Sequence, residues 1–315
     1  RRLITLALFA ASSATAAAQS LLLTHQIGTA ATDLGVAAAV DSAGNAYMAG
    51  YTYGNLAATN AGFADAYVSK FSASGTLLWT RQLGTPGYDE AWSVAADAAG
   101  NVYICGTTSG NLAGTGAGSS DAFLAKYDAA GTLLWTRQLG TSGADGAYGI
   151  AVISTNSIYI SGSTSGNLAG SNAGEEDVFL AKYDAAGALV WTRQFGTPAH
   201  DYGNGIALDT AGNAYLSGAT TGNLAGTNAG EEDAFLAKFD ASGAQLWTRQ
   251  FGTPVYDYGY GIAVDTTGNA YIAGVTLGNL AGPSAGYADA FLAKYDTSGI
   301  QVWTRQFGTA DDDAG

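Results

Sequence analysis

The chain has 315 residues, among them 45 Gly, 18 Tyr and 6 Trp, and only 12% are charged, against roughly 25% in an ordinary domain. Lys and Arg number 12 against 26 Asp and Glu, a net charge of −14, which argues against a nucleic-acid or anionic-membrane partner because little here would displace counterions from phosphates. One Cys rules out an internal disulfide and, with two His, a zinc site built from Cys and His; 47% hydrophobic residues suffice for a sizeable core.

Residues 1–18 read as a signal peptide: Arg1-Arg2, an apolar run from Leu3 to Ala11, then small residues ending Ala16-Ala17-Ala18. That run is too short for a membrane span, which needs about 20 residues. Beginning on Arg rather than Met, the chain is expected to start inside its leader, and the mature protein to be secreted or held at the cell surface. Leu21–Thr29 (LLLTHQIGT) aligns with Leu77–Thr85 (LLWTRQLGT), with His25 in the place of Arg, which marks residues 19–27 as a fourth strand without the rest of its blade. It is expected to be an orphan strand that closes a ring by completing a blade begun elsewhere.

From Gly28 onward the sequence repeats. Trp-Thr-Arg-Gln recurs at Trp79, Trp135, Trp191, Trp247 and Trp303, each 56 residues after the last. The repeats run 28–83, 84–139, 140–195, 196–251 and 252–307, with the start of a sixth at 308–315. The charges keep the same period. Every Lys falls at one position (Lys70, Lys126, Lys182, Lys238, Lys294), and every Arg after the leader at another (Arg81, Arg137, Arg193, Arg249, Arg305). Two Asp positions recur as faithfully, at Asp89 and at Asp121 and their counterparts. Charges placed only for solubility would drift between copies, so each is expected to have a fixed partner, as ion pairs or hydrogen-bonded caps.

Within the fifth repeat, Tyr260–Val264, Ala270–Gly274, Ala290–Tyr295 and Ile300–Phe307 read as strands. The turn Asp265-Thr266-Thr267-Gly268-Asn269 joins the first two, with Gly and Asn expected to supply positive φ. A long polar loop, 276–289, precedes the third strand. Strands this short and lacking strict alternation suit a sheet covered on both faces. Four antiparallel strands per repeat, stacked on like neighbours, describe a β-propeller blade. The period is longer than the roughly 50 residues of kelch, and the long loop supplies the surplus. The expected fold is all-β: five complete blades of a ring of six or more. Blade three departs from the pattern, with Ile153 for the turn Asp and Asn156-Ser157 for Gly-Asn, which puts its first hairpin in question.

Blocks such as GIAVDTTGNAYIAG, DAFLAKYDTSG and VWTRQFGT resemble the SBBP repeat of bacterial secreted and cell-surface proteins. The resemblance spans residues 26–315 and implies a propeller with an exported binding or surface role. It implies no common catalytic site.

Few residues carry chemistry beyond the repeat. G-x-T-x-G, centred on Thr52, Thr108, Thr164, Thr220 and Thr276, superficially matches a nucleophile elbow. That device needs a strand-to-helix turn and a His base, so five copies without a helix read as the exit from strand two. His200 beside Asp201 reads as a loop variant, because the Asp recurs without a His. Glu175, Glu176 and Asp177, with Glu231, Glu232 and Asp233, offer hard oxygen atoms on a Gly-rich loop and are a candidate Ca²⁺ site. The other repeats lack the Glu pair, and no other cofactor is indicated. The repeated Trp and Arg residues read as structural, and Cys105 as a small buried packing residue. Tyr88, Trp92, Tyr202, Tyr256 and Tyr258 form an aromatic set at the start of first strands, on one rim, suited to gripping a sugar or a peptide. The expected function is an exported, non-enzymatic binding or scaffold module whose partner is an extracellular protein or glycan. The alternative is the non-catalytic part of a secreted hydrolase or lyase whose active site lies elsewhere.

Overall fold

A computed structural model describes residues 24–311 and 313, except 115, 155 and 156; the expected signal peptide lies outside the described residues. Short apolar runs between tight turns give five four-stranded antiparallel sheets, each in simple meander order, with no helix among the described residues. Their first strands are Asp33–Val40, Asp89–Ala96, Asp145–Ser154, Asp201–Leu208 and Asp257–Val264. In the fifth sheet Ala270–Thr276, Asp289–Tyr295 and Gln301–Phe307 follow. Its first strand thus begins three residues before the sequence suggested, because a bulge between Gly259 and Gly261 lets the ladder continue to Asp257.

The first strands of consecutive sheets lie side by side and the sheets pack face to face. First strands therefore gather on the inside, and fourth strands such as Leu77–Leu83 form the outer edge. Four apolar clusters join sheet one to two, two to three, three to four and four to five. Each combines Tyr, Phe, Ala and branched aliphatic side chains, mostly from the second and third strands. Fully buried rings such as Tyr47, Tyr103, Phe123 and Phe235 contribute roughly 2–3 kcal/mol apiece by leaving water. Among the described residues no such cluster joins the fifth sheet to the first.

The turns depend on Asp and Gly. In the second hairpin of sheet two, Asp128 Oδ1 accepts the Ala130 and Thr132 amides at 2.9 and 2.7 Å, while Gly131 takes φ +81°. The expectation that Asn shares the positive-φ role is corrected: every positive φ among the described residues belongs to Gly. Asn269 instead donates its side-chain amide to Asp265 Oδ2 at 2.8 Å, closing the turn by a side-chain bond. Glycine is also required on the second strand. A Cβ at Gly218 would lie 1.9 Å from the Tyr202 carbonyl oxygen, and one at Gly274 1.8 Å from that of Tyr258. The first-strand bulge thus presses against the second strand.

Blade three forms its first hairpin despite the altered turn, as Asp145–Ser154 and Ser157–Thr164. There Tyr159 donates its hydroxyl to the Gly212 carbonyl of the next sheet at 3.2 Å, as Tyr215, which keeps its turn Asp, does to Gly268 at 3.0 Å. Residues 24–27, the described part of the expected closing strand, pair with no strand, although His25 rests on Phe71 at 5.2 Å. A single segment has no ladder without a sheet to join.

Candidate functional site

The strictly repeated polar residues are used by the architecture. Arg137 donates from Nε to the Gly187 carbonyl at 2.7 Å and from Nη2 to the Ala186 carbonyl at 2.6 Å, both on the second-hairpin turn of the next sheet. Trp135 donates to Ala185 of that turn at 3.2 Å, and the guanidinium lies over its ring at 5.2 Å. Arg81, Arg193 and Arg249 repeat this fork on the following turns. Each Lys sits over a Tyr of its own sheet, as Lys238 over Tyr215 at 4.7 Å, and Lys70, Lys182 and Lys238 also donate to the next turn. Of the two expected kinds of partner, ion pairs do not form on these cations among the described residues. The cations meet backbone carbonyls and aromatic faces, and the one contact within 4 Å between a basic side chain and a carboxylate among the described residues is His200 with Glu176, at 3.3 Å.

The Asp sets act as caps. Asp89 Oδ2 accepts the amide and hydroxyl of Thr85 at 2.6 and 2.7 Å, and its Oδ1 accepts Thr108 Oγ1. Thr108 and its counterparts are thus buried anchors at the end of strand two, as the G-x-T-x-G reading expected. Asp121 Oδ2 accepts the Ala117 amide at 2.9 Å and the Gln138 side chain at 2.7 Å. Gln138 Oε1 in turn takes the Leu112 and Ala113 amides, so the Gln of each Trp-Thr-Arg-Gln pins the long loop. Gln was the structural residue not singled out in the sequence, although its strict recurrence was the signal. Cys105 is fully buried, and that burial pushes its thiol well above the ordinary range.

The acidic triplets do not converge. Glu175 and Glu231 are exposed, while Asp177 and Asp233 are buried and serve their own loops by accepting from Ala173 and Ala229 and from Gln194 and Gln250. Among the described residues no three His, Cys, Asp or Glu side chains are grouped as a metal requires. A depression of about 470 Å³ beside them is lined by Gly196–Ala199 and Thr221–Asn223, with no ionisable group.

What does not repeat is the rim around the first strands. At one of its positions the blades carry Thr32, Tyr88, Ala144, His200 and Tyr256; at the next, Leu34, Glu90, Gly146, Tyr202 and Tyr258; at the third, Val36, Trp92, Tyr148, Asn204 and Tyr260. The structure divides the expected aromatic set into groups. Tyr88, 47% exposed, stacks on exposed Phe63 with centroids 5.0 Å apart. Trp92 lies between Tyr51 at 5.7 Å and Tyr148 at 6.3 Å, and Tyr53 extends the row. Tyr202 stacks on His200 at 5.7 Å. Tyr256, Tyr258 and Tyr260 form a ladder with centroids 6.0 and 5.8 Å apart and planes within 7°.

Carboxylates are interleaved with these rings. Burial raises the Glu90 carboxyl above its usual range. Burial, and after it the Glu176 and Glu90 charges, raises the Tyr148 phenol. Tyr202 is pushed up to about 12, by burial first and then by Glu176. No Lys or Arg belongs to this rim, so it presents aromatic faces and negative charge.

Five meander sheets packed in series, with first strands inside and the non-repeating residues on a rim, define an all-β repeat array of the propeller kind. The chain belongs to the SBBP family, described as a beta-propeller repeat, whose pattern matches residues 24–57, 78–113, 134–169, 190–225 and 246–281. Over 227 residues, 66% of this chain, it is 30% identical to the regulatory protein FlaEY of Caulobacter vibrioides, of whose length it covers 23%. Among solved structures it is similar to a Bacteroides caccae protein of unknown function, with 11% identity, 92% and 88% of the two chains covered and a TM-score of 0.49. It is also similar to the calcium-binding protein regucalcin of Agrobacterium tumefaciens, with 16% identity, 86% and 73% covered and a TM-score of 0.43. Among the described residues no helix is long and apolar enough to cross a membrane.

Proposed function

We propose that this chain is a non-enzymatic binding module, exported to the cell surface or beyond, that holds an extracellular protein or glycan on the aromatic–carboxylate rim of its first strands. One observation carries the reading. The lock and cap residues recur in almost every blade, whereas the rim changes from Thr, Leu and Val in blade one to Tyr, Tyr and Tyr in blade five. Residues free to vary on a rigid frame are where recognition is placed. The relative named a regulatory protein is in keeping with a role in interaction rather than chemistry.

The same reading takes the five sheets as part of a ring of six or more. In support, among the described residues Arg305 donates only to its own Thr304 carbonyl, at 3.0 Å, where Arg81, Arg137, Arg193 and Arg249 each grip a following turn. Phe307 is 58% exposed, where its counterparts Leu83, Leu139, Phe195 and Phe251 are partly buried. A glycan and peptide array tests the rim. Wild type is expected to retain ligands that Trp92→Ala or Tyr258→Ala loses, and a blank array, or retention by both variants, overturns the proposal.

A further inference from the structure

We propose that Glu232 and the tyrosines beside it form a site for an organic cation bearing N–H donors, an alkylammonium or a guanidinium. The proposal rests on the rim being a binding surface and names what one part of it recognises. Glu232 lies immediately before the third strand of sheet four, where its carbonyl accepts the Asp257 amide at 2.8 Å and it forms a parallel bridge with Tyr256. Its side chain is drawn inward: the residue is 9% exposed, and Oε2 lies beneath the surface and accepts no hydrogen bond from the described residues, so a ligand N–H reaches it only by displacing the side chains that cover it. A buried carboxylate oxygen without a donor is costly; among the described residues the others in this condition all belong to the repeated Asp caps, and Glu232 alone stands outside that set.

The neighbouring blade shows what chemistry suits this place. Glu176 occupies the same repeat position and makes the same backbone contact, to Asp201 at 2.8 Å, and the same bridge, to His200. There His200 Nδ1 lies 3.3 Å from Glu176 Oε2, with its ring flat on Tyr202. The carboxylate of blade three thus meets a nitrogen supplied by the chain. In blade four the corresponding residue is Tyr256, which brings no nitrogen, and Oε2 is left without a partner. The remaining copies carry Ala64, Ser120 and Ala288, so the arrangement is confined to these two blades.

The repeat cations cannot supply the missing group, because all ten are committed to Tyr or Trp faces of their own sheets. Beside Glu232 the ladder of Tyr256, Tyr258 and Tyr260 leaves Tyr256 39% and Tyr260 46% exposed. Ring faces attract a cation, while the buried oxygen demands a hydrogen-bond donor. Together they select an N–H cation over a quaternary one. Burial, and next hydrogen bonding to the Glu232 carboxylate, raises the Tyr258 phenol, so the ladder already engages this carboxylate and Oε2 is the oxygen left without a donor.

The test is calorimetric titration of the 315-residue chain with butylammonium, butylguanidinium, tetramethylammonium and butanol. Saturable binding of the first two is expected, at least tenfold tighter than either of the others. Glu232→Gln should weaken it at least tenfold, as should Tyr256→His, which installs the nitrogen that blade three already has. Glu231→Gln, which removes an exposed charge one residue away, should leave it unchanged. Melting curves guard against misfolding, since Glu232→Gln removes an orphaned buried charge and should melt no lower than wild type. An acetylated, amidated Gly-Lys-Gly peptide run beside butylammonium shows whether a protein side chain or a free amine is the better ligand, and saturable binding of either supports the proposal. No saturable binding, binding indifferent to Glu232→Gln, or a preference for tetramethylammonium overturns it. If array ligands are held by Trp92 and Tyr258 while no amine binds, this site falls alone; if rim variants retain every ligand, the binding-module reading falls.

Discussion

Replacing Arg137 by Ala separates the lock between sheets from ordinary surface packing. The side chain contributes two charge-assisted bonds to the Gly187 and Ala186 carbonyls of sheet three and rests on Trp135 at 5.2 Å. Hydrogen bonds to a charged group contribute about 1.5–3 kcal/mol each, and a half-exposed site falls toward the lower end. The ring contact adds roughly 0.5–1 kcal/mol, while water satisfies part of what the carbonyls lose. A net cost of about 2–3 kcal/mol is expected, which for an array of this length is a fall in Tm of roughly 3–5 °C. Arg305→Ala is the internal control, because among the described residues Arg305 donates only to its own Thr304 and otherwise rests on its own sheet's Trp303; its cost should stay below about 1 kcal/mol. Scanning calorimetry on both variants decides the matter. Equal losses, or a larger loss at Arg305, would refute the directional lock. Because each repeat is held by its neighbours, Arg137→Ala should also speed amide exchange in the Ala185–Gly187 turn.

Gly218→Ala drives a Cβ against the Tyr202 carbonyl and the Phe235 ring and should cost more than about 3 kcal/mol, whereas Gly226→Ala, with nothing within 4 Å, should stay within roughly 0.5 kcal/mol on urea denaturation. Asp265 is held below the ordinary carboxylate range by hydrogen bonds from Thr267 and Asn269. The stability it confers is present above a pH of about 4 and lost as pH falls below it. Asp265→Asn should therefore melt lower than wild type near pH 6, with the gap shrinking below about pH 4; a constant gap argues against the shift. Cys105, fully buried with its thiol pushed up by that burial, should react with a thiol reagent only at the rate of unfolding, and rapid labelling of the native protein would contradict its placement.

The fold was legible because a radial repeat writes its period into every structural residue. The 56-residue spacing of Trp, Lys, Arg and Asp located every sheet before any geometry was known. What those charges touch was not legible: Arg137 and Lys70 bind backbone carbonyls, which any residue possesses and no residue type advertises. The rim was partly legible, since Trp92 broke the repeat and drew attention to its neighbours. Tyr148 and Tyr260 stood at the same position, yet their contact with those neighbours depends on how consecutive first strands lie together. His200 reads in sequence as a loop variant because its partner, Glu176, lies 24 residues away across a long loop. That pairing, and its absence at Glu232, emerges only when the loop folds back on the next blade.

The division of labour between frame and rim can be measured in one paired alanine scan, with Arg81, Arg137, Arg193 and Arg249 on one side and Tyr88, Trp92, Tyr202, Tyr256 and Tyr258 on the other. Each variant is scored for Tm and for retention of the array ligands that wild type binds. The two sets should separate, the arginine variants losing stability and the rim variants losing ligand while melting near wild type. Rim variants that destabilise as much as the arginine variants, or that keep every ligand, would contradict it.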